Sequence, residues 1–182
     1  MRAALTDGLA QRGLTLTDRQ VDQFCEFGRL LIEKNQVMNL TAITEPTAVA
    51  QLHFLDSLAV LQAADCRGKT VIDVGCGAGF PGVPMAIAEP TAQVTLLDSL
   101  QKRMNWLKEI LPGLGVERAA QFSGGGFHQG IVVKEDIRAV KPHVVKPPEP
   151  LNAPGQLRTH AGKHLLSEPV VGIACGHKNH LG

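Results

Sequence analysis

Apolar residues recur at helical spacing through roughly the first seventy positions of the chain. Thr17-Asp18-Arg19-Gln20 has the form of a capping box, in which a threonine and a glutamine three residues later satisfy each other's backbone amides. The apolar positions that then share one face are Val21, Phe24, Cys25, Leu31 and Ile32. We therefore predict a helix with one buried face that runs toward Asn35 and is followed by a break at Asn39-Leu40-Thr41.

A second helix is predicted to start at Thr44-Glu45-Pro46, because proline in the first turn lacks only an N–H that would go unused there. Its buried side is predicted to consist of Val49, Leu52, Leu55, Leu58 and Leu61. His53 and Asp56 lie three residues apart on this helix and so project from neighbouring positions. The spacing alone favours a solvated polar pair at the helix edge.

The pattern changes between Thr70 and Asp98. A short apolar run, Thr70 to Val74, ends in the glycine-dense turn 75–79, and helix-forming residues at 85–88 precede a second apolar run, Val94 to Leu97. This order predicts strand, tight loop, helix and strand. A buried strand that feeds such a loop is typical of proteins that bind a nucleotide-type ligand over the strand end.

A further helix is predicted after Asp98, with Ser99 as its N-cap. Its apolar face would consist of Leu100, Met104, Leu107 and Leu111. Trp106, the only tryptophan, is predicted to pack in the core. Lys102 and Arg103 allow two interpretations, a solvated helix face or contact with a phosphate backbone.

Hydrophobic periodicity stops near residue 119. Residues 119–182 contain nine glycines, six prolines and six of the seven histidines, a composition that breaks helices and strands. Only Ile131 to Val133 and Val170 to Ala174 look like strands. The tail histidines with helix-like spacing are His160, His164, His177 and His180. Glycines interrupt any helix there and no acidic residue completes a ligand set, so we expect no metal site; a basic arm for RNA is an alternative.

Composition narrows the protein class. The 182 residues are enough for one domain, and the net charge of +1 gives no strong field that would recruit nucleic acid, although a local patch is compatible with it. The four cysteines contain no C-x-x-C pair, so neither zinc nor a disulfide framework is indicated. No stretch approaches the roughly 18 apolar residues of a membrane span. We expect a cytoplasmic monomer without a membrane partner.

The residues around the glycine turn distinguish between two cofactors. Asp73 lies two positions before Gly75, where its carboxylate would repel a pyrophosphate but can hold an amino-acid ammonium, directly or through water. Asp98 follows Gly75 by the spacing of about twenty residues at which an acid accepts hydrogen bonds from ribose hydroxyls. We therefore favour S-adenosylmethionine over NAD. A nicotinamide-dependent oxidoreductase and an ordinary tight turn remain the alternatives.

Several motifs together resemble one known family, the bacterial 16S ribosomal RNA guanine-N7 methyltransferases, also called glucose-inhibited division protein B. The resemblance covers about residues 1–117. Its motifs are Asn35, Asn39-Leu40-Thr41, His53-Phe54-Leu55-Asp56-Ser57, the G-x-G-x-G-x-P-G-x-P run from Gly75 to Pro84, and the run Leu96-Leu97-Asp98-Ser99-Leu100-Gln101-Lys102-Arg103.

The resemblance implies a fold, a reaction and a partner. The fold would be α/β, a Rossmann-like methyltransferase with an N-terminal helical segment at 1–68, the first part of the methyltransferase domain at 69–118, and an atypical tail at 119–182, which would leave the sheet incomplete. The reaction would transfer a methyl group from S-adenosylmethionine to N7 of a guanine in the 16S rRNA of the small ribosomal subunit.

The resemblance also implies site residues. The cofactor-binding residues would be Asp73, Gly75, Gly77, Gly79, Phe80, Asp98 and Ser99. The candidates for RNA contact would be His53, Lys102 and Arg103, although Leu52 stands where the family usually has a basic residue.

The tail departs from the family, whose later strands help to shape the acceptor site. We interpret it as the product of a change of reading frame near codons 112 to 120, which translation of the same DNA in its other frames would test. We accordingly expect weak or no methyl transfer from this chain, and the alternative function is an S-adenosylmethionine-binding fragment without catalysis.

Overall fold

The N-terminal helices follow the predicted pattern. The computed structural model describes residues 1–116, 120–123 and 170–174, and it begins with helices α1 (Arg2–Gln11) and α2 (Asp18–Met38). The predicted capping box is confirmed: the Gln20 amide donates to Thr17 Oγ1 over 3.3 Å, and the Thr17 amide donates to Gln20 Oε1 over 2.8 Å. Helix α2 ends where Asn39 adopts a left-handed conformation at φ 50°. The break predicted from sequence is therefore confirmed.

The second helical stretch has three parts. Helix α3 (Pro46–Val49) leads into a π-helix (Ala50–Leu55), which continues as helix α4 (Asp56–Ala63). The predicted start is confirmed, since Pro46 is the first helical residue and the Glu45 carboxylate accepts the Ala48 amide over 2.6 Å. The predicted buried side is wrong at Leu52, which is 58% exposed. A π-helix adds residues to each turn, so a face calculated from the α-helical period drifts away from the core.

The sheet contains four parallel strands in the described part of the chain, in the order β3-β2-β1-β4. They are β1 (Thr70–Val74), β2 (Gln93–Asp98), β3 (Ala120–Ser123) and β4 (Val170–Ala174). Helix α5 (Gly82–Ala88) connects β1 to β2, and helix α6 (Gln101–Ile110) follows β2. The predicted strand-loop-helix-strand order is thus confirmed, and this α/β arrangement agrees with the expected Rossmann-like class.

Two of the four strands lie beyond residue 118, in the tail that the sequence composition sets apart. The predicted strand Val170 to Ala174 is confirmed as β4, which pairs with β1. Strand β3 was missed, because Ala120–Ser123 is short and precedes three glycines. The predicted strand at 131–133 and the tail histidines lie outside the described residues, and the change of reading frame stays a prediction.

One hydrophobic core joins the N-terminal helices to the sheet. Phe27 of α2 stacks on Trp106 of α6 with ring centroids 6.4 Å apart, and the predicted packing of Trp106 is confirmed by its 3% exposure. The Gln20 side chain also donates to the carbonyls of Ile87 and Ala88 at the end of α5, over 2.9 and 3.0 Å. The helical segment therefore forms a wall of the same core that supports the sheet.

Candidate functional site

The candidate site lies at the carboxyl ends of β1 and β2. In the described sheet the chain passes outward from β1 to β2 and β3, whereas β4 lies on the other side of β1. Such a reversal is a topological switch point, and open parallel sheets bind their ligands in the crevice outside the strand ends at that point. The glycine turn predicted from sequence leaves the sheet there, directly after Val74.

The glycine loop folds back on the end of β2. Gly75, Gly77 and Gly79 have φ angles of 80°, 56° and 97°, a region that residues with a side chain rarely adopt. The amides of Gly75 and Cys76 both donate to the Leu97 carbonyl, over 2.8 and 2.9 Å. The loop thus needs its glycines for backbone conformation, whatever ligand it receives.

Asp98 ties the glycine loop to the start of α6. Its Oδ2 accepts the Gly77 amide over 2.9 Å, and its Oδ1 accepts the Leu100 amide over 2.8 Å. The Arg103 guanidinium lies 3.6 Å from Oδ2, and the Asp98 side chain is 6% exposed. The prediction that Ser99 is the N-cap of α6 is wrong: Leu100 occupies that position, because the Asp98 carboxylate holds its amide.

Asp73 is the most unusual group of the site. Its side chain is fully buried, and Oδ2 accepts the Gly82 amide over 2.8 Å at the start of α5. Oδ1 is buried without a hydrogen-bond partner in the described part of the chain. Burial raises the pKa of Asp73 from 3.8 to about 7, the Gly82 hydrogen bond opposes this rise, and the charge of Asp98 adds to it.

An unpaired buried carboxylate oxygen is stabilised when a hydrogen-bond donor binds next to it. Leaving such a group unsatisfied costs about 1–3 kcal/mol or more, so native proteins supply a water, an ion or a ligand group. An ammonium group or a water held by one meets this need, whereas a pyrophosphate does not. The residues present therefore fit the amino-acid end of S-adenosylmethionine.

His53 faces the glycine loop. Its ring stacks on Phe80 with centroids 4.5 Å apart and an interplanar angle of 14°, and its Nε2 lies 2.8 Å from Thr41 Oγ1. Burial lowers the pKa of His53, an effect that the charge of Asp56 opposes. The solvated pair favoured by spacing is wrong for His53, which is half-buried, although Asp56 is exposed.

The basic candidates on α6 occupy different environments. Lys102 is exposed and available to a solution partner. Arg103 is less exposed and lies against Asp98. Of the cofactor candidates, Ser99 is exposed beyond the end of β2 and Phe80 is half-buried beneath His53.

Sequence reasoning missed what Gly82 does. A Cβ on Gly82 would lie 2.2 Å from Leu96 Cδ2 and 2.8 Å from Asp73 Oδ2, so only glycine lets α5 approach the strands this closely. The signal was present in the G-x-P-G-x-P run, where a glycine begins a helix nine positions after the acid.

Outside this site, three further properties of the described residues bear on function: metal ligands, thiols and membrane spans. They contain no group of three or more histidine, cysteine or acidic side chains placed to hold a metal ion. Cys25, Cys66 and Cys76 are free thiols there. The helices among these residues also lack the length and apolar character that crossing a bilayer requires.

Comparisons with known proteins agree with the motifs. A family model described as GidB, rRNA small subunit methyltransferase G, matches residues 20–122. The ribosomal RNA small subunit methyltransferase G of Streptococcus gordonii strain Challis is 48% identical over 118 residues, which cover 64% of this chain and 50% of that protein. The protein of the same name from Alkaliphilus metalliredigens is 47% identical over 114 residues, which cover 62% of this chain and 48% of that protein. The chain spans about half the length of the curated relatives it matches.

Two solved structures of methyltransferases show partial similarity to this chain. A protein-L-isoaspartate O-methyltransferase matches with a TM-score of 0.47 and 16% identity, covering 68% of this chain and 42% of that one. A precorrin-6y C5,15-methyltransferase from Geobacter metallireducens matches with a TM-score of 0.37 and 13% identity, covering 50% and 44%. Since the family match spans more than half of its residues, the chain belongs to the rRNA small subunit methyltransferase G family.

Proposed function

We propose that this chain binds S-adenosylmethionine at the carboxyl ends of β1 and β2 and methylates N7 of a guanine in the 16S rRNA of the small ribosomal subunit. The observation that carries the proposal is the buried, unpaired Oδ1 of Asp73 beside the glycine loop, within a chain that belongs to an rRNA methyltransferase family. The family match favours this function over a nicotinamide-dependent oxidoreductase. A protein with such a substrate works in the cytoplasm, and we propose that it acts there as a monomer.

The residues of the site divide into three roles. Asp73 accepts a hydrogen bond from the cofactor ammonium, directly or through water, because Oδ1 has an unused acceptor. Gly75, Gly77, Gly79 and Phe80 form the loop that covers this end of the cofactor. Asp98 and Ser99 would hold the ribose, with the Asp98 carboxylate, which already accepts the Gly77 amide, also accepting hydrogen bonds from ribose hydroxyls.

The methyl-transfer reaction requires the protein mainly to position the guanine base relative to the cofactor. When bound, the cofactor supplies an electrophilic methyl group. Guanine N7 carries a lone pair and no proton, so this chain need not provide a general base. Its contribution is to hold the base, exposed from its stack, in line with the methyl group. Lys102 is exposed in the first turn of α6, close after the carboxyl end of β2, and we propose that it contacts rRNA phosphates.

Two measurements test the proposal. Calorimetry should show S-adenosylmethionine binding to the whole chain, and Asp73→Asn should weaken it by about tenfold or more, because an amide replaces the charged acceptor. Asp7→Asn, on an exposed acid of α1, is the matched control and should bind like the parent. Absence of binding by the parent chain would refute the cofactor assignment.

Transfer of labelled methyl groups to unmethylated 30S subunits tests the reaction itself. We expect transfer that is slow, since the family match ends at residue 122 and we expect the acceptor-side residues to fall largely beyond it. Binding of the cofactor without any transfer would select the alternative, a binding fragment without catalysis.

A further inference from the structure

A chain of side-chain contacts connects the end of α2 to the glycine loop. It runs from Asn35 through the turn at Thr41 to His53, and from the His53 ring to Phe80. These residues belong to four separate motifs, spread over positions 35 to 80 of the sequence. The fold therefore brings together features that the sequence presents separately.

The first part of the chain fixes the turn after α2. Asn35 Oδ1 accepts the amides of Leu40 and Thr41 over 2.6 and 2.8 Å. The Thr41 hydroxyl in turn accepts the Ile43 amide over 3.0 Å. Its remaining hydrogen-bonding capacity is directed at His53 Nε2, 2.8 Å away. The Thr41 hydroxyl is thus held in place, and its contact with Nε2 orients the His53 ring.

The π-helix places His53 over the loop. Short π-helical segments occur often at functional sites because they redirect side chains from the α-helical face. Here Gln51 and Leu52 are exposed, whereas the next residue, His53, turns inward to Phe80. The Ser57 hydroxyl donates to the His53 carbonyl over 2.6 Å, which holds the backbone of this segment.

Phe80 is held from several sides. Beside the His53 ring, it contacts Phe27 at 5.4 Å and Phe54 at 6.1 Å between centroids. Its amide and that of Gly79 donate to the Cys76 carbonyl over 2.8 and 2.7 Å. The position of Phe80 therefore sets the position of the last part of the glycine loop.

We propose that His53 is a positioning residue for the cofactor loop, acting through Phe80, and not a contact for RNA. One face of its ring is covered by Phe80 and its Nε2 is engaged by Thr41, so this stacking face and this nitrogen are already used within the protein. The inference rests on the proposed function in so far as the loop binds S-adenosylmethionine.

Variants of the two partners test this role. His53→Ala removes the stack and the hydrogen bond, and it should raise the Kd for S-adenosylmethionine about tenfold, as expected for loss of a ring pair. Thr41→Val should raise the Kd less, and Thr41→Ser, which keeps the hydroxyl, should restore parental affinity. Gln51→Ala, on the exposed side of the same segment, is the control. An unchanged Kd for His53→Ala would overturn the proposal.

Hydrogen exchange of the loop gives a readout that does not require the cofactor. In the whole chain, the amides of Gly79 and Phe80 should exchange roughly tenfold faster in His53→Ala than in the parent, while α2 amides are unchanged. If the parent chain binds no S-adenosylmethionine, the proposed function fails but this exchange result still decides the role of His53. Equal exchange, or loss of 30S binding by His53→Ala with normal loop exchange, contradicts the proposal.

Discussion

At the scale of single residues, the buried carboxyl group of Asp73 is the most informative feature of this protein. A carboxylate at the end of a buried strand was predicted from its position before Gly75, and the structure adds that the group is fully buried with one unpaired oxygen. The sequence could not show this, because burial of Asp73 depends on how closely α5 approaches the strands. The ionised Asp73 carboxylate therefore destabilises the free protein, and it becomes favourable only when a bound group donates a hydrogen bond to it.

Asp73→Asn should stabilise the free protein at alkaline pH. The folded-state pKa of about 7 lies above the ordinary value of 3.8, so Asp73 favours folding fully below pH 4 and this contribution is lost as the pH rises through 7. The unfolding free energy of Asp73→Asn minus that of the parent should increase by up to about 1.4 kcal/mol for each pH unit between the two pKa values. Urea unfolding at pH 5 and pH 8 measures it.

Asp7→Asn serves as the control for this comparison, since Asp7 is exposed. It should show no such growth with pH. A gain for Asp73→Asn that is equal at pH 5 and pH 8 would mean that the carboxyl does not titrate as its burial implies.

Helix ends and strand limits show what local pattern can predict at the scale of elements. The capping box at Thr17, the limits of β1 and the break at Asn39 were predicted because each depends on neighbouring residues. The sequence did not predict the exposed face of the π-helix or the presence of strand β3. Both depend on what the segment packs or pairs with, a property that periodicity does not contain.

Thr17→Ala should lower the unfolding free energy by about 1 kcal/mol, because it removes the side-chain acceptor for the Gln20 amide at the start of α2. Chemical denaturation measures this loss. Thr15→Ala, at an exposed position before the helix, provides the comparison and should leave stability unchanged. Equal stability of the two variants would show that the capping box contributes nothing.

Gly82→Ala should destabilise the packing of α5 on the sheet. The new methyl would lie 2.2 Å from the buried Leu96 side chain, and relieving that overlap should cost about 1–3 kcal/mol. Gly113→Ala is a matched control, because its Cβ would meet only the Ile110 carbonyl at 3.5 Å. Thermal unfolding of both variants tests this, and a fully stable Gly82→Ala protein would show that α5 can move away without penalty.

At the scale of the whole molecule, sheet order and the shared core determine where a ligand can bind. The sequence predicted two strands around the glycine loop, but the position of β4 beside β1 creates the switch point, and strand order is a long-range property that no local signal carries. The helical segment likewise looked separate in sequence, yet its aromatic residues share the core of the sheet. The site residues were predicted from the family motifs, which supply information that hydrophobic pattern lacks, and their binding roles stay a prediction.

The most direct test of the central claim compares thermal unfolding of the whole chain with S-adenosylmethionine, with NAD and with neither. At a concentration of about 100 times its Kd, S-adenosylmethionine should add roughly 2.7 kcal/mol and raise the Tm by roughly 5–10 °C. NAD should leave the Tm unchanged, because Asp73 repels a pyrophosphate. A shift with NAD, or no shift with S-adenosylmethionine, would contradict the assignment of this site.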